Sequence, residues 1–268
     1  RNNVQFYNHA MNAKAYERLV MENSLRKALE RKEFLLYYQP VVELHTGSVK
    51  SVEALIRWHH PDLGMVSPAE FIPMAEETGL IIPIGDWVLR TACTQGVEWR
   101  KLGIPPVRIG VNLSAHQLRK KDILETVQAI LDETGFDPHF LELEVTESAV
   151  MQNPEAAACT LSSFKAMGIR IAIDDFGTGY SSLGYLKRFP VDVLKIDRSF
   201  VKDISTDSGD AAITMAIIAM AEQLKLKTIA EGVETKEQFV FLRNKACDGV
   251  QGYLIGPPAP TEKVVPFL

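Results

Sequence analysis

The sequence predicts an α/β fold, a TIM-type (β/α)8 barrel with one antiparallel strand. Three observations lead there. Apolar, strand-like segments alternate with helical patterns from about Glu33 onward, the order of βα units. Eight strand candidates can be counted, enough to close a barrel. The first two are separated only by a short turn at His45–Ser48, too short for a crossover, so they form a hairpin and one runs against its neighbours. An open doubly wound sheet competes, but it needs a glycine-rich phosphate loop after the first strand, and none is present.

Residues 1–30 are set apart as a linker helix and remnant of an upstream domain, with 31–268 forming the barrel. Leu19, Leu25 and Leu29, with Val20 alongside, recur near helical spacing among charged residues. Strands are expected at Phe34–Val42, Val49–Arg57, Val107–Leu113, Phe140–Val145, Arg170–Asp174, Val191–Ile196, Thr228–Glu231 and Gly249–Gly252. Ser67-Pro68-Ala69-Glu70 combines an N-cap, a first-turn proline and a capping-box glutamate. Asn153-Pro154-Glu155 opens another helix that Gly168 is placed to end, and Thr235 can cap a third.

The chain of 268 residues suffices for one large barrel. Its net charge of -5 argues against a nucleic-acid polymer as partner. A small phosphorylated ligand stays open, because bound cations can supply positive charge. Cys93, Cys159 and Cys247 form no CxxC pair and read as reduced, mostly buried thiols. The longest apolar run, Ala211–Ala221, is too short for a membrane span and reads as a buried helix. A cytoplasmic domain without membrane contact is expected.

A second pattern lies over the strands. Each otherwise apolar segment carries a polar residue near its end: Glu53, Asn112, Glu144, Asp174 with Asp175, Lys195, Glu231 and Gln251. Alternation puts each on one face with its i−2 neighbour, and in a barrel that face converges on the C-terminal mouth. Five carboxylates gathered there repel one another unless cations bind. Carboxylates with one amide oxygen select hard ions, Mg²⁺ or Mn²⁺. No HxH or HExxH pattern exists among the six histidines, so zinc is not expected. His59, His60 and His116 are assigned to surface or packing. A lone strand glutamate usually faces solvent, but the repetition over seven strand ends outweighs that reading. The two glycines of Phe176-Gly177-Thr178-Gly179-Tyr180-Ser181-Ser182 permit close approach to a ligand, although an ordinary βα turn explains them equally well. Arg108, Glu142 and Arg170 share strand faces with the mouth residues, and are expected to pair with one another or with nearby polar groups at the barrel floor.

These residues resemble the EAL domain, a cyclic di-GMP phosphodiesterase family. The resemblance rests on Glu53-Ala54-Leu55 continuing to Arg57, Tyr38-Gln39-Pro40, Val111-Asn112-Leu113-Ser114, Glu144-Val145-Thr146-Glu147-Ser148, Asp174-Asp175-Phe176-Gly177-Thr178-Gly179-Tyr180-Ser181-Ser182, Lys195-Ile196-Asp197, Glu231-Gly232-Val233-Glu234 and Gln251-Gly252-Tyr253. It implies a barrel with one reversed strand and two divalent cations. Glu53, Asn112, Glu144 and Asp174 would hold the first; Asp174, Asp175 and Glu231 the second. It implies Lys195 and Glu231 beside the attacking water, with Glu231 as general base, and Gln251 close to the metal shell. Gln39, Leu55 and Arg57 would contact cyclic di-GMP, with Arg57 on a phosphate. Glu147 would anchor the loop after the aspartate pair, with Glu234 its neighbour. The product implied is linear pGpG. A GGDEF-like upstream domain and a homodimer are further expectations of the resemblance. A receptor that binds cyclic di-GMP without hydrolysis, and a metal-dependent barrel enzyme working by enolate chemistry, are the competing functions.

Overall fold

The computed structural model describes residues 9–179 and 183–268, with side chains from residue 18 onward except 180–183. Tyr180, Ser181, Ser182 and the Arg1–Val4 segment therefore lie outside the described residues. The chain divides into two compact units, one of residues 1–35 and 56–84, the other of 36–55 and 85–268.

The larger unit is the barrel. Its strands fall in β1 (Phe34–Glu43), β2 (Val49–His60), β4 (Arg108–Asn112), β5 (Leu141–Thr146), β6 (Arg170–Phe176), β7 (Val193–Ile196), β8 (Lys227–Ala230) and β9 (Gly249–Gln251), with a short β3 (Gly64–Val66) elsewhere in the chain. The barrel order is β1-β9-β8-β7-β6-β5-β4-β2, and the β1–β2 pairing closes it. β1 is antiparallel to β9, whereas β2, β4, β5, β6, β7, β8 and β9 run parallel in succession. The expected hairpin thus supplies the single reversed strand.

Inward residues form layers. Val41, Ala172, Val193 and Ile229 make a buried apolar cluster. Ala172, Val193 and Ile229 each stand two residues before a polar mouth residue, as alternation requires. Outside the strands, helices such as Ile123–Thr134 and Pro154–Ala166 bury apolar faces. Asn153 caps the second through its side chain, and Gly168 follows it at φ +88°, a left-handed stop that glycine adopts without strain. Thr235 and Gln238 form a complete capping box on Lys236–Asn244.

The smaller unit contains the helix Pro68–Thr78 and the β2–β3 pairing of Trp58 with Val66. Its core packs Phe34, Trp58 and Phe71 in tilted and edge-on contacts, with ring centroids 5.7–6.1 Å apart. Trp58 donates its indole N–H to Glu33 at 2.9 Å.

Several expectations need correction. Ser67 stands at the helix N-cap with Pro68 after it, but its side chain accepts no capping hydrogen bond, so no capping box forms. β3 was not anticipated: three residues are too few to show alternation. The helix containing Ala211–Ala221 runs Ser208–Gln223 and buries one face only; Ile213 and Met215 are exposed. Leu19 and Val20 are exposed on His9–Ala28, whose buried positions among the described side chains are Leu25 and Ala28. Cys93 and Cys247 are buried, but Cys159 is exposed. No helix among the described residues is long and apolar enough to cross a membrane.

Candidate active site

The strand ends of the barrel unit bring Glu53, Asn112, Glu144, Asp174, Lys195, Glu231 and Gln251 to one mouth. Lys195 is its hub. The Nζ atom lies 2.5 Å from Glu144 Oε2, 2.6 Å from Glu231 Oε1, 3.2 Å from Glu53 Oε2 and 3.6 Å from Asp174 Oδ1. Lys195 is 1% exposed. Burial alone would strip its proton; Asp174, Glu144, Glu231 and Glu53 together outweigh burial and hold its pKa well above the ordinary lysine value.

The carboxylates respond in different ways. Burial, reinforced by Asp174 and Glu53 against the pull of Lys195, raises Glu231 to about 8. Burial and the adjacent Asp174 raise Asp175 to about 6. Glu144 is driven well up by burial, which exceeds the opposing effect of Lys195. For Glu53, burial also pushes upward, but Lys195 and hydrogen bonds from Gln251 and Asn112 prevail, and its pKa falls below the ordinary value. Five carboxylates face one ammonium here, an arrangement short of positive charge.

One backbone feature explains how consecutive aspartates both serve the mouth. Regular alternation would send Asp175 outward. The β6–β7 register shifts between Ile173 and Phe176, and Asp175 sits at φ +53°. That left-handed conformation is costly for a non-glycine residue and clusters at functional sites. It brings a ligand oxygen of Asp175 within 4.8 Å of those of Asp174 and Glu231. The Asp175 amide donates to Asp174 Oδ1 at 3.0 Å, fixing that carboxylate.

Amides complete the mouth. Asn112 is exposed; its Nδ2 donates to Glu53 Oε1 at 2.7 Å, and its Oδ1 accepts no hydrogen bond among the described residues. Gln251 is buried, and its Nε2 donates to Glu53 Oε2 at 2.7 Å and Gln39 Oε1 at 3.0 Å. Turning the Gln251 amide over would set its oxygen against a carboxylate, so the orientation is fixed by charge. Gln251 Oε1 is left buried with no hydrogen-bond partner among the described residues. Gln39 itself donates to the Gly256 carbonyl at 3.0 Å.

These donors fit a hard divalent cation. All are oxygen atoms, the Asp174–Asp175–Glu231 group can converge on one ion, and the amide oxygens of Asn112 and Gln251 lack partners among the described residues. Of the first proposed ligand set, Glu53, Glu144 and Asp174 gather on Lys195, with Asn112 bonded to Glu53.

The remaining predicted residues divide. Glu147 is buried at the start of the helix Glu147–Met151 and accepts the Gly177 N–H at 2.9 Å, so it grips the loop after the aspartate pair. Glu234 lies in the loop before Lys236–Asn244, where its own N–H donates to Gln238 Oε1 at 2.7 Å. Leu55 is half-buried on β2. Arg57 belongs to the smaller unit, where its Nη1 donates to the Ile56 carbonyl at 2.8 Å. His60 takes a packing role, accepting the N–H groups of Asp62 and Leu63 at 3.1 and 3.2 Å.

The sequence reading overlooked Gly110. A Cβ there would stand 2.0 Å from Glu144 Oε1. The missing side chain makes room for the Glu144 carboxylate, and a glycine interrupting an otherwise regular strand was the available signal.

A TIM-type barrel carrying a lysine-centred, carboxylate-rich mouth at its strand ends defines the class of this protein. The chain belongs to the EAL domain family, which matches residues 22–258. It is similar to the bifunctional diguanylate cyclase/cyclic di-GMP phosphodiesterase MucR of Pseudomonas aeruginosa, 47% identical over 99% of this chain and 39% of that protein. It is also similar to the cyclic di-GMP phosphodiesterase NbdA of the same organism, 44% identical over all of this chain and 34% of that protein. The chain therefore spans well under half the length of these relatives. Among solved structures, a complex of the MucR phosphodiesterase with c-di-GMP superposes with a TM-score of 0.89 at 47% identity, covering 91% of this chain and 99% of that one.

Proposed function

We propose that this chain hydrolyses cyclic di-GMP to linear pGpG at the barrel mouth, aided by two divalent cations, Mg²⁺ or Mn²⁺. The observation that carries the reading is the gathering at one mouth of five carboxylates, four of them on Lys195, with two amide oxygens unpartnered among the described residues, in a chain whose relatives are named cyclic di-GMP phosphodiesterases. Glu53, Asn112, Glu144 and Asp174 are the proposed ligands of one cation, and Asp174, Asp175 and Glu231 of the other. When bound, such ions acidify water and neutralise phosphate oxygens.

The protein's own groups do the rest. Glu231 is the acceptor for the proton of the attacking water; burial raises it to about 8, so it acts as base in its ionised form, which gains population as the pH approaches that value. The water oxygen bonds to phosphorus as the bond to the departing 3′ oxygen breaks, and that oxygen takes a proton from solvent. Lys195 stabilises negative charge developing on the phosphate and holds Glu231 in place through its 2.6 Å contact. Gln39 and Leu55 are assigned to the dinucleotide. Glu147 positions the loop after Asp175 rather than touching substrate.

The helix His9–Ala28 is proposed to continue from an upstream GGDEF-like domain. The greater length of the relatives, and the diguanylate cyclase in the name of one, support that assignment. A cytoplasmic location and a homodimer belong to the same proposal.

The test is chromatography of cyclic di-GMP after incubation with the chain and Mg²⁺ or Mn²⁺, with EDTA as control. Metal-dependent pGpG is expected. Intact nucleotide with tight binding would make the chain a receptor, and full turnover in EDTA would overturn the metal assignment.

A further inference from the structure

The barrel has a second polar compartment at the opposite end. On β4, Arg108 stands four residues before Asn112; on β5, Glu142 stands two before Glu144; on β6, Arg170 stands four before Asp174. Glu142 pairs directly with Arg170, and because Gly110 is the partner of Glu142, Arg108 stands two residues further toward the floor. Together with Val41, Glu43, Lys50, Ser51, Lys227, Ile229, Asp248 and Gly249 they line a cavity of about 360 Å³. That lies within the range of small-ligand sites. Val41 and Ile229, half of the apolar layer formed with Ala172 and Val193, roof it, so this compartment is separate from the mouth.

The charges of this lining are unequally used. Its three carboxylates are engaged. Asp248 accepts from Lys227 Nζ at 2.6 Å and from the Thr228 N–H at 2.9 Å. Glu142 Oε2 lies 2.9 Å from Arg170 Nε. Glu43 accepts from Thr46 Oγ1 at 2.8 Å. Two of the four cations are not. Arg108 and Lys50 make no hydrogen bond or ion pair among the described residues. Arg170 adds a third shortfall: its Nε meets Glu142 at an angle too poor for a hydrogen bond and is buried without a directed acceptor. Burial, with the neighbouring Arg170, holds the Arg108 guanidinium below its ordinary pKa against the opposing pull of Glu142, Asp192 and Glu43, none of which forms an ion pair with it among the described residues. The expected pairing of floor charges is thus met for Arg170 with Glu142 and corrected for Arg108.

We propose that the barrel floor is a binding site for a small oxyanion, a metabolite bearing a phosphate or carboxylate group. Arg108 is its principal ligand, Lys50 guards the entrance, and Arg170, held by Glu142, adds positive charge beside Arg108. A guanidinium fork matches two oxygens of such a group, and Val41 and Ile229 give an apolar wall for the remainder of the ligand. Barrel floors generally serve stability, and stability alone would pair Arg108 rather than leave it facing a cavity.

The experiment is isothermal titration of the full chain with inorganic phosphate, and separately with succinate, at constant ionic strength. Divalent metal is first removed by chelation and the chelator is dialysed away, so the mouth offers an anion no cation but the buried, carboxylate-paired Lys195. Saturable one-to-one binding is expected, weakened about tenfold or more in Arg108→Gln, the loss expected for a charge-assisted hydrogen-bonding partner, and weakened less in Lys50→Gln. Phosphate binding alone assigns a phosphorylated ligand; binding of both assigns the shared oxyanion chemistry. Lys50 is exposed, so Lys50→Gln keeps the test decisive if Arg108→Gln fails to fold. Absence of saturable binding to either anion, or undiminished affinity in the folded variants, overturns the proposal. Because this site lies away from the mouth, loss of phosphodiesterase activity would leave the outcome untouched.

Discussion

Replacing Lys195 by methionine removes the one positive charge in the mouth while keeping a side chain of similar length. Four carboxylates lie within 3.6 Å of its Nζ, at 2.5, 2.6, 3.2 and 3.6 Å. Stripping one partner from a buried ion cluster costs about 3–5 kcal/mol, because the remaining charges are left uncompensated. For a chain of this size each kcal/mol shifts the melting midpoint by roughly 2–4 °C, so Lys195→Met should melt about 6–20 °C lower in EDTA. The pH dependence has a definite sign. Glu231 is raised from an ordinary 4.5 to about 8, so above that value it is charged in the folded protein and the loss is greatest. Toward pH 5 Glu231 and Asp175 take up protons and the difference between parent and variant should narrow. Excess Mg²⁺ should narrow it as well, by restoring positive charge. The assay is thermal unfolding of both proteins at pH 8.5 and pH 5.5, with and without metal. A variant melting within about 2 °C of the parent at pH 8.5 in EDTA would show that Lys195 does not hold the carboxylates together.

Two further outcomes follow from the same geometry. Gly110→Ala places a Cβ 2.0 Å from Glu144 Oε1; Glu144 must shift off Lys195, and pGpG formation should drop about a hundredfold, as misplacement by an ångström does, with normal kinetics in a folded variant refuting that packing. Divalent cations require ionised carboxylates, so at pH 7 binding should release protons from Glu231, at about 8, and from Glu144, driven well up by burial, and less from Asp175, at about 6; titration calorimetry in buffers of different ionisation enthalpy reads this directly, and zero release would contradict these shifts.

The barrel and most of its mouth were legible because period-two alternation is strong. Once Asn112 is taken as inward, Gly110 and Arg108 must be inward too, and the same parity carries Asp174 to Arg170 and Glu231 to Ile229. The hairpin fixed the reversed strand by length alone. Parity also marks what was hidden. It assigns Asp175 to the outer face, and only the register shift with φ +53° returns its carboxylate to the group. Such a departure is decided by tertiary packing at the β6–β7 edge, not by local residue preference. The missing Ser67 cap has a related cause: the sequence offers the right atoms, but the side chain makes no capping hydrogen bond. The lysine's four contacts were likewise illegible, since they depend on how strands from distant parts of the chain are staggered.

The size of the middle residues explains how so much polar side chain fits in the mouth. Glu144 reaches back over the strand beside it, and it can do so only because position 110 has no Cβ. Lys195 spans toward Glu53 and Glu144 across the barrel, above Ala172 and Val193, both fully buried. Close packing leaves little free volume in such an interior, so long side chains in one layer demand small ones beneath. The same thin layer keeps a cation-seeking mouth and an arginine-bearing floor in separate compartments. Substituting a larger residue at Gly110 would therefore strain the mouth before it disturbed the floor, because the Glu144 carboxylate already occupies the space beside that position while the cavity beyond still has room.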